Sequence, residues 1–339
     1  MKKTILTVIQ VLVTVGILYH IFKDPKNADL PHQLLISNKL WVLAGIFAYG
    51  IVEVLATWRW QILLKVQGIS LAFFRVLALL MIGILFNLFM PGGTGGDVIK
   101  IFYLLKEIPT GKRAGALLAV LMDRLIGLLG LTLVTGVILL FRYQWLCSTE
   151  ATRHRTWTAL GIMGLSIGGV TFSFLITCFG LAHKLPEKFP MRDKFIDLSI
   201  AYSEYARAWK YSISALGLSL GVHIGSFYVF YAAARAIGQN IGILNMFGVV
   251  PLINTITSLP ISVGGAGWRE ILFTDFLGNL CSVPSSKAIA ISLMGFSVLI
   301  FWAIVGGVIY LLYRPSEHAR LSEIETTVHD LEHKIAVEE

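Results

Sequence analysis

Charge is scarce in this chain. Only 14% of its residues are Asp, Glu, Lys or Arg, against roughly 25% in soluble domains, which excludes an ordinary water-exposed globule. Cysteine is scarce too. Cys147, Cys178 and Cys281 have no C-x-x-C spacing, so neither a disulfide framework nor a cysteine metal site is expected. There is no HExxH zinc signature and no GxSxG nucleophile elbow. A phosphate-binding loop is excluded as well, because Lys100 follows Gly96 by four positions and no strand precedes the glycines. These absences leave no cofactor, no metal and no ATP-binding motif to expect. The formal net charge of +8 does not make a nucleic-acid binder, since the basic residues fall in short loops between apolar segments. At the amino end, Lys2 and Lys3 before an apolar run imitate a secretory signal. No small-x-small site follows at Tyr19-His20-Ile21-Phe22, so the segment reads as a retained first helix.

Apolar residues are abundant: 56% of the chain, with a mean hydropathy of +0.75. Runs of about 20 such residues cross a hydrocarbon core of roughly 30 Å as helices, whose backbone satisfies itself in lipid. Straightforward spans are expected from Ile5 to Phe22, Leu40 to Leu64, Gly115 to Phe141, Trp157 to Leu181, Tyr211 to Ala236 and Ala288 to Tyr313. Two further apolar regions, Phe74 to Leu105 and Asn245 to Leu280, are broken near their middles by proline and clustered glycines, which remove hydrogen bonds and helix propensity. The expected fold is therefore an all-α polytopic membrane protein with about six full spans and two re-entrant helical hairpins.

With a cytoplasmic amino terminus, both hairpins return to the side they entered from. The loops with Arg75, with Lys106, Lys112 and Arg113, and with Lys184 to Lys210 then lie inside, as does Arg314. Both termini are then cytoplasmic and the protein is a multi-pass protein of the cell (inner) membrane. The first hairpin enters from the cytoplasm and the second from outside, an inverted repeat. Pro91-Gly92-Gly93-Thr94-Gly95-Gly96-Asp97 and Pro260-Ile261-Ser262-Val263-Gly264-Gly265-Ala266-Gly267-Trp268-Arg269-Glu270 share a proline, a GGxG core and an acidic residue just beyond it. The segment Pro186 to Lys210 suits a helix lying on the cytoplasmic face, and Ser316 to Glu339 a short amphipathic appendage. The chain divides into a membrane domain, 1–314, and a cytoplasmic tail, 315–339.

Glycines merely permit close packing in many membrane helices. Here proline, glycines and a carboxylate coincide twice, which favours an unwound backbone opening a polar pocket within the membrane. Glu53 and Arg59 lie in the second span, Asp123 and Arg124 in a later one, and Arg269 and Glu270 at the second break. Each costs several kcal/mol in the bilayer unless paired or hydrated, so they should face inward. Asp123-Arg124 reads equally as a structural ion pair or as a substrate contact. Arg59, between Trp58 and Trp60, reads more readily as an interfacial snorkelling residue, and His223 as a packing residue.

The runs Asn87 to Asp97, Asp123-Arg124 with Leu125 and Gly127, Leu259 to Glu270, and Arg59-Trp60 with Leu63 and Leu64 resemble the membrane domain of lysylphosphatidylglycerol synthases. The resemblance runs up to about Arg314. It implies movement of lipids between leaflets; the synthases' separate cytoplasmic domain has no counterpart here, so the chain resembles a stand-alone relative. Motif by motif it places Asp97, Asp123, Arg124, Arg269 and Glu270 along the lipid headgroup path, with Lys100 where relatives often carry arginine.

The expectation is a lipid flippase or transporter rather than an enzyme. Its substrate-binding candidates are Asp97, Lys100, Asp123, Arg124, Arg269, Glu270, Glu53 and Arg59. Its re-entrant breaks are Pro91, Gly92, Gly93, Gly95, Gly96, Pro260, Gly264, Gly265 and Gly267. Its partner is a membrane lipid of phospholipid, polyprenyl-phosphate-linked or hopanoid class, together with a further copy of itself or a lipid-synthesis enzyme. Two rivals stand beside it: a membrane-embedded transferase with Asp97 or Glu270 as base, and a scaffold acting through its tail.

Overall fold

A computed structural model describes residues 19, 23, 29–89, 95–178, 192–259, 262 and 265–313. The expected first span, the tail, and the breaks at Pro91, Gly92, Gly93, Pro260 and Gly264 lie outside them. Among the described residues the chain is all helical: α1 Leu30–Leu35, α2 Lys39–Val66, α3 Phe73–Phe89, α4 Gly95–Glu107, α5 Arg113–Leu146, α6 Glu150–Cys178, α7 Arg192–Arg207, α8 Trp209–Ala236, α9 Ile243–Thr257, α10 Trp268–Cys281 and α11 Ser285–Leu312. Four of them, α2, α5, α8 and α11, are long and apolar enough to cross a membrane. The chain is a multi-pass membrane protein.

Both interrupted regions form two short helices rather than one long one. At 1.5 Å per residue, α3, α4, α9 and α10 measure about 20–25 Å each, less than the roughly 30 Å of a hydrocarbon core. Within each region the two helices run antiparallel. Arg75 at the start of α3 pairs with Glu107 at the end of α4 (3.2 Å), while Gly96 at the start of α4 donates its N–H to Asn87 Oδ1 near the end of α3 (2.9 Å). Residue 96 has to be glycine, because a Cβ there would stand 2.0 Å from the Gly83 carbonyl oxygen.

The long α5 relates the two pairs. At its beginning, Lys112 donates to the Gly68 carbonyl in the turn between α2 and α3. The first pair therefore opens at the start of α5. At its far end, Arg142 donates to Asn245 Oδ1 at the start of α9 (2.5 Å) and stacks over Trp145 (4.1 Å). Just past the short turn, Arg155 holds Asp275 in α10 (2.9 Å). The second pair therefore opens at the end of α5. Both tips point to its middle: Asp97 meets Arg124, and Thr255 meets Thr135 (hydroxyl oxygens 3.2 Å apart).

Each pair has its own core. One gathers Trp60, Leu63, Leu79, Ile99, Tyr103 and Ile126, the other Leu139, Phe227, Ile253, Phe273 and Ile291. Helix α5 contributes its first half to one and its second half to the other. Small residues let the long helices approach closely, as at Gly130, whose added Cβ would lie 2.4 Å from Ser219 Oγ.

Candidate functional site

The tip of the first pair builds the site. Asp97 sits in the first turn of α4, where the helix dipole favours a carboxylate. From it runs a chain of alternating charge. Arg124 Nε lies 2.5 Å from Asp97 Oδ2, Lys100 Nζ lies 3.4 Å from Asp97 Oδ1 and 3.8 Å from Asp123 Oδ2, and Arg59 Nε lies 2.8 Å from Asp123 Oδ1. Arg59 Nη1 then reaches Ser219 Oγ on α8 at 3.1 Å. Lys100 also sits 4.2 Å above the Trp60 ring. Three cations share two carboxylates, so each carboxylate is held from two sides. That is the satisfaction a low-dielectric interior requires of buried charge.

Exposure along the chain is graded. The side chain of Arg124 is 51% exposed, while Lys100 and Asp123 are under a tenth exposed. The open end faces a cavity of about 690 Å³, lined by these five residues together with Glu53, Tyr49, Asn87, His223 and Ser166. Ser258 and Leu259 at the end of α9 complete the wall, so both tips contribute to one space. Glu53 is 5% exposed and faces the Tyr49 hydroxyl. His223 bonds the Gly127 carbonyl (2.9 Å) and stacks on Phe227, which is a packing role at the cavity edge.

Six of the eight expected site residues thus converge: Glu53, Arg59, Asp97, Lys100, Asp123 and Arg124. Arg59 does not snorkel to an interface; it points inward and carries the inner end of the chain. Asp123 and its neighbour Arg124 take different partners rather than each other. Arg269 and Glu270 stand apart from this cavity lining. Glu270, at the start of α10, accepts the Gly267 N–H (2.5 Å), the Ser292 hydroxyl (2.6 Å) and Arg269 Nη2 (3.3 Å). Arg269 Nε donates to Ser292 (3.0 Å), and its guanidinium covers the Phe296 ring (4.5 Å). Glycine at 267 permits the φ of +82° that starts this helix. The network is closed and buried, and it ties α10 to α11.

Sequence reasoning did not single out Asn87, Ser219, Tyr49 or Ser258. The signal for Asn87 was present, since it is an amide in an otherwise apolar run. Ser219 had none, because a serine in a helix can equally bond the carbonyl a turn before it in its own helix. Among the described residues no three His, Cys, Asp or Glu side chains converge as metal ligands.

Comparison with known proteins gives the family. A family model described as the lysylphosphatidylglycerol synthase TM region matches residues 7–307. A UPF0104 membrane protein of Pyrococcus horikoshii is 23% identical over 311 residues, covering 81% of this chain and 87% of that one. Another UPF0104 membrane protein, from Methanocaldococcus jannaschii, is 29% identical over 113 residues, 32% of each chain. No solved structure matches. Since the family match takes in both helix pairs, all of α5 and nearly all of α11, the chain belongs to the lysylphosphatidylglycerol synthase TM region family.

Proposed function

We propose that the cavity receives the phosphate-bearing headgroup of an anionic or polyprenyl-linked lipid and passes it between leaflets while the hydrocarbon chains stay in the membrane. One observation carries this reading: a chain of five alternating charges opens on a cavity shared by two antiparallel helix tips that arrive from opposite ends of α5. A phosphate entering at Arg124 competes with Asp97 for the guanidinium, whose planar fork suits two phosphate oxygens. Lys100 stands behind Asp97 to take up the released carboxylate. The headgroup thus exchanges one ion pair for another and avoids the full cost of bare charge in lipid.

In this reading the two helix pairs are re-entrant hairpins of an inverted repeat, because each is too short to span and opens at its own end of α5. The end carrying Lys65, Lys106, Lys112, Arg113, Arg207 and Lys210 faces the cytoplasm by the positive-inside rule. The carboxylates that a transferase needs as bases, Asp97 and Glu270, are each committed to at least two donors, which supports transport over catalysis.

The test is headgroup translocation in proteoliposomes. Purified protein is expected to speed the inward movement of labelled phospholipids over protein-free vesicles, and Arg124→Ala to remove most of the gain. Equal rates in all three preparations across anionic, zwitterionic and polyprenyl-phosphate lipids would sink the reading. A covalent change in the lipid would transfer it to the enzyme class.

A further inference from the structure

A second concavity lies beside the charged cavity, on a neighbouring face of α5. Met122, Ile126 and Leu129, spaced by four and three residues, form its floor, while α6, α7 and α8 close its other sides around about 480 Å³. Two of its hydroxyls are already occupied. Ser212 donates to the Tyr205 carbonyl (2.8 Å), and the Tyr205 hydroxyl donates to the Leu63 carbonyl (2.9 Å). The roof is fixed as well, because Gln67 donates to Glu204 (2.6 Å) and, with Tyr205, pins α7 to the end of α2. The slot is therefore preformed and asks for an apolar guest.

Its mouth has another character. Trp209 and Ile213 are more than half exposed, and Arg207 and Lys210 stand exposed on either side of Trp209 in the chain. The Lys210 ammonium lies 5.8 Å from the Trp209 ring centroid. An indole and the Lys210 cation thus stand at the entrance of a hydrocarbon-lined slot, with the exposed Arg207 next to Ala206 of its lining, on the end of the bundle where α2 ends and α5 begins.

We propose that this slot binds one hydrocarbon chain of an anionic phospholipid whose phosphate is held by Arg207 and Lys210. In a membrane protein an open apolar slot fills with hydrocarbon, since water there loses its hydrogen bonds. The charge at the mouth selects which lipid supplies that chain, and the Trp209 ring sits where an interfacial aromatic meets headgroups. This lipid is held beside the transport cavity and does not pass through it, so the site stands whether or not the cavity transports.

Native mass spectrometry of the full chain, released from detergent after exposure to phosphatidylglycerol or phosphatidylcholine, tests this. In an Arg124→Ala background, which removes docking in the charged cavity, one phosphatidylglycerol should survive delipidation with roughly tenfold preference over phosphatidylcholine. Arg207→Ala with Lys210→Ala, both surface changes, should equalise the two lipids, and Ala206→Trp should fill the slot and lose both. Equal retention of the two lipids in the Arg124→Ala protein overturns the proposal. So does undiminished preference after the double substitution, or undiminished retention in folded Ala206→Trp.

Discussion

At the scale of single residues, two buried ionic groups look alike in composition and differ in what they are free to do. Arg269 and Glu270 are closed on themselves and on Ser292, with every Glu270 contact internal. Removing the carboxylate strands a buried guanidinium, so Glu270→Ala should cost about 3–5 kcal/mol and lower the unfolding temperature in detergent clearly. Arg124, half exposed at the cavity, can lose its side chain with little effect on stability. Its loss should instead reduce headgroup translocation by roughly thirtyfold, as expected for about 2 kcal/mol of lost ion pairing to a bound phosphate. Comparing unfolding temperature and transport for the two variants separates a structural charge from a functional one. A variant pattern with the two effects exchanged would assign the headgroup path to the second break.

The charged residues themselves were legible, because buried ionisable groups in an apolar run have few explanations. Their partners were not. Asp123 and Arg124 are neighbours in sequence, but successive residues on a helix point about 100° apart, so Asp123 turns to Arg59 and Lys100 while Arg124 turns to Asp97. Arg59 was masked by its two tryptophans. Trp60 is wholly buried under Lys100 and only Trp58 faces outward, so one ring marks an interface and the other lines the core.

At the scale of elements, glycine decides how close the first pair may come. Gly96→Ala places a methyl group 2.0 Å from a backbone oxygen that no rotamer can move, so the folded fraction should fall sharply in size-exclusion profiles. Gly164→Ala is the control, since nothing lies within 4 Å of its added carbon. In mid-helix it should leave the profile unchanged or gain about 0.5–1 kcal/mol. An unchanged profile for Gly96→Ala, like that of Gly164→Ala, would mean that the crossing of α3 and α4 does not depend on the missing side chain at 96.

The long helices were readable to within a few residues where apolar runs end cleanly, as α2 does. Helix α5 runs five residues beyond the expected end at Phe141, because Arg142 stacks on Trp145 and reaches Asn245 instead of ending the helix in water. Helix α6 begins seven residues before Trp157. Thr152 and Thr156 are buried there, and Thr156 returns its hydroxyl to the Thr152 carbonyl (2.8 Å), so polar residues continue the helix. The short α1 had no periodicity to announce it.

At the scale of the molecule, α5 works as a shared axle. Its first half packs one core and its second half the other, and the two helix pairs approach its middle from opposite ends. That both apolar regions break into short helices was foreseeable from the twin glycine motifs, since proline and clustered glycines remove hydrogen bonds and helix propensity. The asymmetry was not. The first tip carries the open charges and the second a sealed network, though both motifs end in an acidic residue. The difference lies in the surroundings: Ser292 and Phe296 on α11 close over Arg269, whereas the Arg124 side chain stays half exposed.

The central claim is that both tips line one headgroup-accessible space deep in the membrane. Thiol labelling tests it most directly, with Asn87→Cys on the first tip and Ser258→Cys on the second placed one at a time in a chain freed of its three native cysteines. A small membrane-impermeant maleimide should modify both positions in reconstituted vesicles, and added anionic phospholipid should slow both. If both thiols stay inert while an exposed Lys112→Cys reacts fully, the cavity does not open to headgroups and the account is wrong.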